Sequence, residues 1–108
     1  MDLDEIAERA RPVFCKYKIR RAIVFGSYAT GRQGRKSDID LILIQETDKP
    51  FLERSRGILR ELYEAIPGRD IEVFIYTPEE LARISHRQFI HRALREGKVI
   101  YEPGQAAA

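Results

Sequence analysis

Cysteine is nearly missing from this chain: Cys15 is the single one among 108 residues. That excludes an intramolecular disulfide and a cysteine zinc cluster, and a reducing, cytoplasmic setting is expected. Cys15 reads as a small buried apolar residue rather than a nucleophile, the usual role of free cysteine. An excess of one charge sign is missing too. Nineteen Lys and Arg against seventeen Asp and Glu leave a formal net charge of +2, too even for a strongly basic nucleic-acid surface or an acidic tail. No apolar run approaches the ~20 residues a membrane helix requires, so no membrane partner is expected. The acidic opening Met1-Asp2-Leu3-Asp4-Glu5 is unlike a signal or transit peptide. There is material for one core and not for two. One domain is expected over 1–102, with 103–108, which ends in three alanines, as a disordered tail.

What is present alternates between strand and helix patterns. Leu3, Ile6, Ala7, Ala10, Phe14 and Tyr17 recur at helical spacing, predicting an amphipathic helix over roughly 2–17. Pro12 inside it should kink the helix or start its second part. Ala22 to Phe25 reads as a buried strand ended by Gly26-Ser27, and Tyr28 to Ser37 as a helical turn followed by a basic, glycine-rich loop. Ile39 to Ile44 is nearly continuous Ile and Leu, suited to a central strand covered on both faces. From Pro50 on, Phe51, Leu52, Ser55, Leu59, Leu62, Tyr63 and Ile66 mark one helix face, stopped by Pro67-Gly68. Ile71 to Tyr76 is a third strand. Thr77-Pro78-Glu79-Glu80 is a helix start in which Thr77 caps and Glu80 closes a capping box. A last helix carries Phe89, Ile90, Ala93 and Leu94 and ends at Gly97; Val99 to Tyr101 reads as a short edge strand. The fold class expected is α+β, close to α/β, with helices packed on a small sheet. Strand order is not readable from these signals.

The chemistry gathers around Asp38 and Asp40. Two residues apart on a strand, their side chains point to the same face, and adjacent like charges cost stability unless something neutralises them. A divalent cation does so, and magnesium prefers carboxylate oxygens while leaving positions for phosphates. A calcium loop would need more oxygen ligands and a glycine after the pair, but Leu41-Ile42-Leu43 follows. A phosphoaspartyl or sugar-nucleotide Asp-x-Asp would end an apolar strand, whereas this pair opens one. Gly26-Ser27 is the second element: glycine lets backbone approach a phosphate, and helix N-terminal N–H groups hold anions. An ordinary strand-to-helix turn with Ser27 as N-cap is the other reading. The third is Glu72, a carboxylate in a β-branched strand where local preference disfavours it. Asp70 is the alternative acid, although it suits the turn after Pro67-Gly68-Arg69. Arg20, Arg21, Arg32, Arg35 and Lys36 flank these elements, either as an anion-attracting cluster or as a solvated surface. His86 and His91, off one helical face, are not read as metal ligands.

Gly26-Ser27, ten residues, then Asp38-Ile39-Asp40 resembles the signature of the DNA polymerase β-like nucleotidyltransferases. Phe25-Gly26-Ser27-Tyr28-Ala29-Thr30-Gly31 with Ser37-Asp38-Ile39-Asp40-Leu41 is similar to the minimal nucleotidyltransferase branch, as are Thr77-Pro78-Glu79-Glu80-Leu81 and Arg95 to Tyr101. The resemblance covers about 1–102 and implies a palm-like fold with a small mixed sheet. It further implies that Asp38, Asp40 and Glu72 bind two magnesium ions and serve catalysis, and that Gly26 and Ser27 hold the phosphates of ATP, the nucleoside triphosphate substrate. Members of this branch pair with HEPN-domain proteins, so the implied role is an antitoxin that transfers AMP to a tyrosine of a HEPN toxin. The competing expectation is a catalytically weak antitoxin that acts by binding. Transfer to RNA or a small molecule stays open but is not favoured, and so does an oligomer. Two departures stand out: Thr30 replaces a usual arginine, and the third acid is Glu72 rather than aspartate.

Overall fold

The computed structural model describes residues 1–31 and 38–103. Four strands, β1 (Arg21–Phe25), β2 (Ile39–Ile44), β3 (Ile71–Tyr76) and β4 (Lys98–Tyr101), form one sheet in the order β3-β2-β1-β4. β1 is antiparallel to β2 and β4, and β2 is parallel to β3. The helices among the described residues are α1 (Leu3–Lys16), α2 (Ser27–Thr30), α3 (Arg56–Ala65), α4 (Pro78–Ile84) and α5 (Gln88–Glu96). This is the expected α+β class with a small mixed sheet. Among the described residues no helix is long and apolar enough to cross a membrane. The tail from Gly104 onward lies outside the described residues.

Side-chain alternation along the strands divides the molecule into two unequal layers. Val24, Leu41, Leu43 and Ile75 point to the side covered by Ile6 and Phe14 of α1 and by Ile58 and Leu62 of α3. This layer is the main core. Ile23, Phe25 and Ile42 point to the other side, where buried cover comes from Ala93 of α5, with Phe74, Tyr76 and Leu94 packed around them. β2 is therefore central and covered on both faces, as its Ile and Leu run predicts. The thinly covered side is the one that carries Asp40.

Several local expectations need correction. α1 starts at the Asp2 cap, whose Oδ1 accepts from the Glu5 N–H at 2.9 Å. It runs as one helix through Pro12, which lies on the exposed side where solvent takes up the carbonyl it leaves unbonded. Cys15 is exposed, not buried: with Ile6, Ala10, Val13 and Phe14 facing inward, the helical phase turns it away, and its Sγ sits 3.2 Å from the Tyr101 hydroxyl. Phe51 and Leu52 are not part of a helix face. Pro50 opens a separate 3-10 turn, Phe51–Glu53; Leu52 is 85% exposed, and the buried residues of α3 are Ile58 and Leu62.

The Thr77 capping box forms as predicted, but Glu80 does more than cap. Its two carboxylate oxygens accept from Arg54 at 2.6 and 3.0 Å, and Arg54 also donates to the carbonyls of Lys49 and Ile75. Hydrogen bonding from Arg54 holds the Glu80 carboxyl down at about 2. The Arg54 side chain is only 6% exposed, so Glu80→Gln leaves a buried guanidinium without its counter-charge. Breaking a fully buried pair costs about 3–5 kcal/mol; with Glu80 29% exposed, about 2–3 kcal/mol is expected by urea denaturation at neutral pH. A depressed carboxyl stabilises above its ordinary pKa and loses that contribution as pH falls through the folded value. The gap between wild type and Glu80→Gln should therefore close as pH falls from about 4.5 towards 2.

Candidate active site

Register places the site. Phe25 at the end of β1 pairs with Asp40 in β2, and Asp40 pairs with Glu72 in β3. Register partners on adjacent strands share a face, so Asp40 and Glu72 lie side by side at one sheet end. Gly26 follows Phe25 directly. It adopts φ +75° and ψ −149°, a region open essentially to glycine alone, and a Cβ there would lie 2.5 Å from Oδ2 of Asp40. The carboxylate thus rests against the bare backbone of the turn. α2 starts at Ser27, and its first helical bonds run from the Ala29 and Thr30 N–H groups to the Gly26 carbonyl at 3.1 and 3.2 Å. The N–H groups of Ser27 and Tyr28 precede those bonds and have no place in the helical ladder. Gly26, not Ser27, is the N-cap, and among the described residues no side chain caps the helix.

The electrostatics follow from this packing. Asp40 is half-buried; burial first, then repulsion from Glu72 and from Asp38, pushes its carboxyl above the ordinary range. Asp38 is exposed just before β2, and Glu72 is exposed on β3. Asp70 is exposed too, and its carbonyl accepts from the Ile39 N–H at 2.8 Å. Glu72, rather than Asp70, is the carboxylate opposite Asp40. Among the described residues no three acidic, His or Cys side chains already converge on one metal position. The donor set still fits magnesium, which usually takes one or two carboxylates and completes its shell with water and substrate phosphates. Mutual repulsion at Asp40 is the state that a cation would relieve.

The two described residues of the expected basic flank, Arg20 and Arg21, lie away from the carboxylates. Antiparallel pairing sets Arg21 opposite Ile44, at the far end of β1 from Phe25. Arg20 and Arg21 pair there with Glu46 at 3.4 Å and Glu102 at 2.9 Å. They border a cavity of about 650 Å³ remote from the carboxylates. Arg32, Arg35 and Lys36 lie outside the described residues. Thr30 is exposed, and its hydroxyl donates to the Gly26 carbonyl at 3.3 Å. Sequence reading missed α5 as part of this region. Phe89, read only as a residue of the last helix, is 57% exposed and meets Phe25 and Phe74 edge-on, at 5.7 and 6.4 Å between ring centroids. With Arg92 it helps line a cavity of about 230 Å³ beside Gly26. A surface arginine on an amphipathic helix gives no signal of such a position in sequence.

The site is a thinly covered mixed sheet with carboxylates and a glycine turn at one end. The polymerase β nucleotidyltransferase family profile matches residues 8–106. A candidate protein adenylyltransferase of Methanocaldococcus jannaschii, MJ0435, is 33% identical over 76 residues, which span 70% of this chain and 80% of that protein. A toxin–antitoxin crystallised with AMP-PNP contains a chain that superposes with a TM-score of 0.67 at 19% identity, covering 93% of this chain and 76% of that one. A candidate nucleotidyltransferase from Sulfolobus solfataricus superposes with a TM-score of 0.62 at 16% identity, covering 95% and 82%. At these identities the two structures speak for the fold. The chain belongs to the polymerase β nucleotidyltransferase family, as its resemblance to the minimal branch implies.

Proposed function

We propose that this chain, acting over 1–102 as one unit in the cytoplasm, transfers AMP from ATP to an acceptor hydroxyl. The acceptor in this reading is a tyrosine of a HEPN-domain toxin, and the chain is its antitoxin. The observation that carries the proposal is the row Gly26, Asp40, Glu72 at one sheet end, in a family member 33% identical to a candidate protein adenylyltransferase. The fold shared with a chain of a toxin–antitoxin crystallised with AMP-PNP supports the partner class.

Asp38, Asp40 and Glu72 would hold two magnesium ions, which supply charge neutralisation on the triphosphate when bound. The Gly26 turn and Ser27 grip the β- and γ-phosphates, which leaves the α-phosphorus near the carboxylates. Glu72, the exposed acid of the pair, takes the proton of the incoming hydroxyl. The hydroxyl oxygen then bonds to the α-phosphorus, the bond to the β-phosphate oxygen breaks, and pyrophosphate leaves. Most of the catalytic contribution is positioning and charge compensation.

Incubation with ATP labelled at the α-phosphate, magnesium and the toxin partner tests this. Label is expected on the partner, at tyrosine by peptide mapping. Label on RNA or on a small molecule would reassign the acceptor. Suppression of the toxin with no label transferred, unchanged in Asp40→Asn, would establish the binding antitoxin in place of the enzyme.

A further inference from the structure

α5 covers this end of the sheet. Ile90 and Ala93 are its buried residues; Phe89, Arg92, Ala93 and Glu96, all on this helix, border the cavity of about 230 Å³ whose other wall is Phe25 and Gly26. The cavity therefore opens on the turn that rests against Oδ2 of Asp40. The Arg92 side chain is 65% exposed, and its Nε donates one long bond to Glu96 at 3.4 Å. Such an i,i+4 pair at high exposure contributes little, so its guanidinium can exchange Glu96 for a stronger anion at small cost. Arg20 and Arg21, by contrast, lie at the far sheet end. A polyanion seated beside three carboxylates requires a positive group, and a guanidinium presents a planar fork that matches phosphate oxygens.

We propose that Arg92 binds the terminal phosphates of the nucleoside triphosphate, across the cavity from Gly26, while Phe89 forms the apolar wall that keeps the guanidinium turned towards them. The assignment deepens the nucleotidyltransferase reading and rests on it. Polyphosphate is favoured over the base as occupant because the cavity adjoins the turn proposed to grip phosphates, on the β1 side of Asp40 and away from Glu72.

Calorimetric titration of wild type and Arg92→Ala with ATP and with AMP, each with magnesium, separates the possibilities. Loss of Arg92 is expected to weaken ATP about tenfold, the scale of a charge-assisted hydrogen bond, and to leave AMP unchanged. Arg92→Lys should recover most of the loss, since lysine binds phosphate as a point charge. The ATP difference should shrink in high salt, and thermal melts of the three proteins should coincide. Equal ATP affinity in wild type and Arg92→Ala overturns the assignment and leaves the nucleotidyltransferase reading standing. Equal weakening for ATP and AMP also overturns it, moving Arg92 to the nucleoside. A wild type that binds no ATP, alone or with its partner, overturns the underlying reading itself.

Discussion

Asp40→Asn is expected to lower AMP transfer by about 10³-fold or more while leaving the protein at least as stable as wild type. Charge compensation at a transferring phosphoryl group is worth several kcal/mol, and each 1.36 kcal/mol is tenfold in rate; three decades is therefore a conservative figure for the central carboxylate. The stability half of the prediction comes from the same geometry. Burial, then Glu72, then Asp38 push the Asp40 carboxyl upward, so its charged form is disfavoured in the folded protein. An acid with a raised folded pKa destabilises the fold once pH exceeds its unfolded value, and the deficit grows until pH passes the folded value. The amide has nearly the same shape and no charge, so it removes the deficit at neutral pH. Rate and thermal melting measured on one preparation should thus move in opposite directions. Loss of activity with a lower melting temperature would instead make Asp40 a structural residue, and retained activity would remove it from catalysis.

Much of this was legible because local chemistry decided it. Ile39 to Ile44 suited a central strand covered on both faces, and it is one. Thr77-Pro78-Glu79-Glu80 carried its own cap, and β4 lies at the sheet edge as read. Other features depended on partners distant in the chain. Glu72 and Asp70 are two residues apart and both carry a carboxyl group; only the register of β3 on β2 sets Glu72 opposite Asp40. Arg20 and Arg21 adjoin the site strand in sequence, but antiparallel pairing puts them a strand length away from the acids. Phe51 and Leu52 continue the apolar spacing of α3, yet Pro50 and the 3-10 turn take them out of its helix, and Phe51 instead packs tilted against Tyr76 at 5.4 Å between centroids. Cys15 was misread because burial of cysteine is a statistical habit, whereas its exposure here follows from the phase of α1. Arg92 had no local signature, since its neighbours are supplied by β1 and the Gly26 turn.

Gly26→Ala is expected to damage both fold and function, and comparison with Gly31→Ala separates the two causes. Both glycines have positive φ, +75° and +76°. Among the described residues a Cβ at Gly31 would meet nothing within 4 Å, so alanine there is expected to meet the left-handed backbone penalty, about 1 kcal/mol. At Gly26 the backbone is in the glycine-only region, worth about 1–3 kcal/mol, and the new Cβ collides with Oδ2 of Asp40 at 2.5 Å. The carboxylate must shift, and so must its distance to Glu72. A destabilisation of about 2–4 kcal/mol is expected, which for a domain of this size lowers the melting temperature by roughly ten degrees or more. Displacing one carboxylate by about 1 Å is enough to cost about 10²-fold in transfer rate. The rate is therefore measured well below the lowered melting temperature, where Gly26→Ala remains folded and Gly31→Ala serves as the control for backbone strain alone. Gly31→Ala should keep near wild-type transfer after its small loss of stability. If the two alanine variants lose stability and activity equally, backbone conformation explains everything and the contact between the turn and Asp40 carries no function.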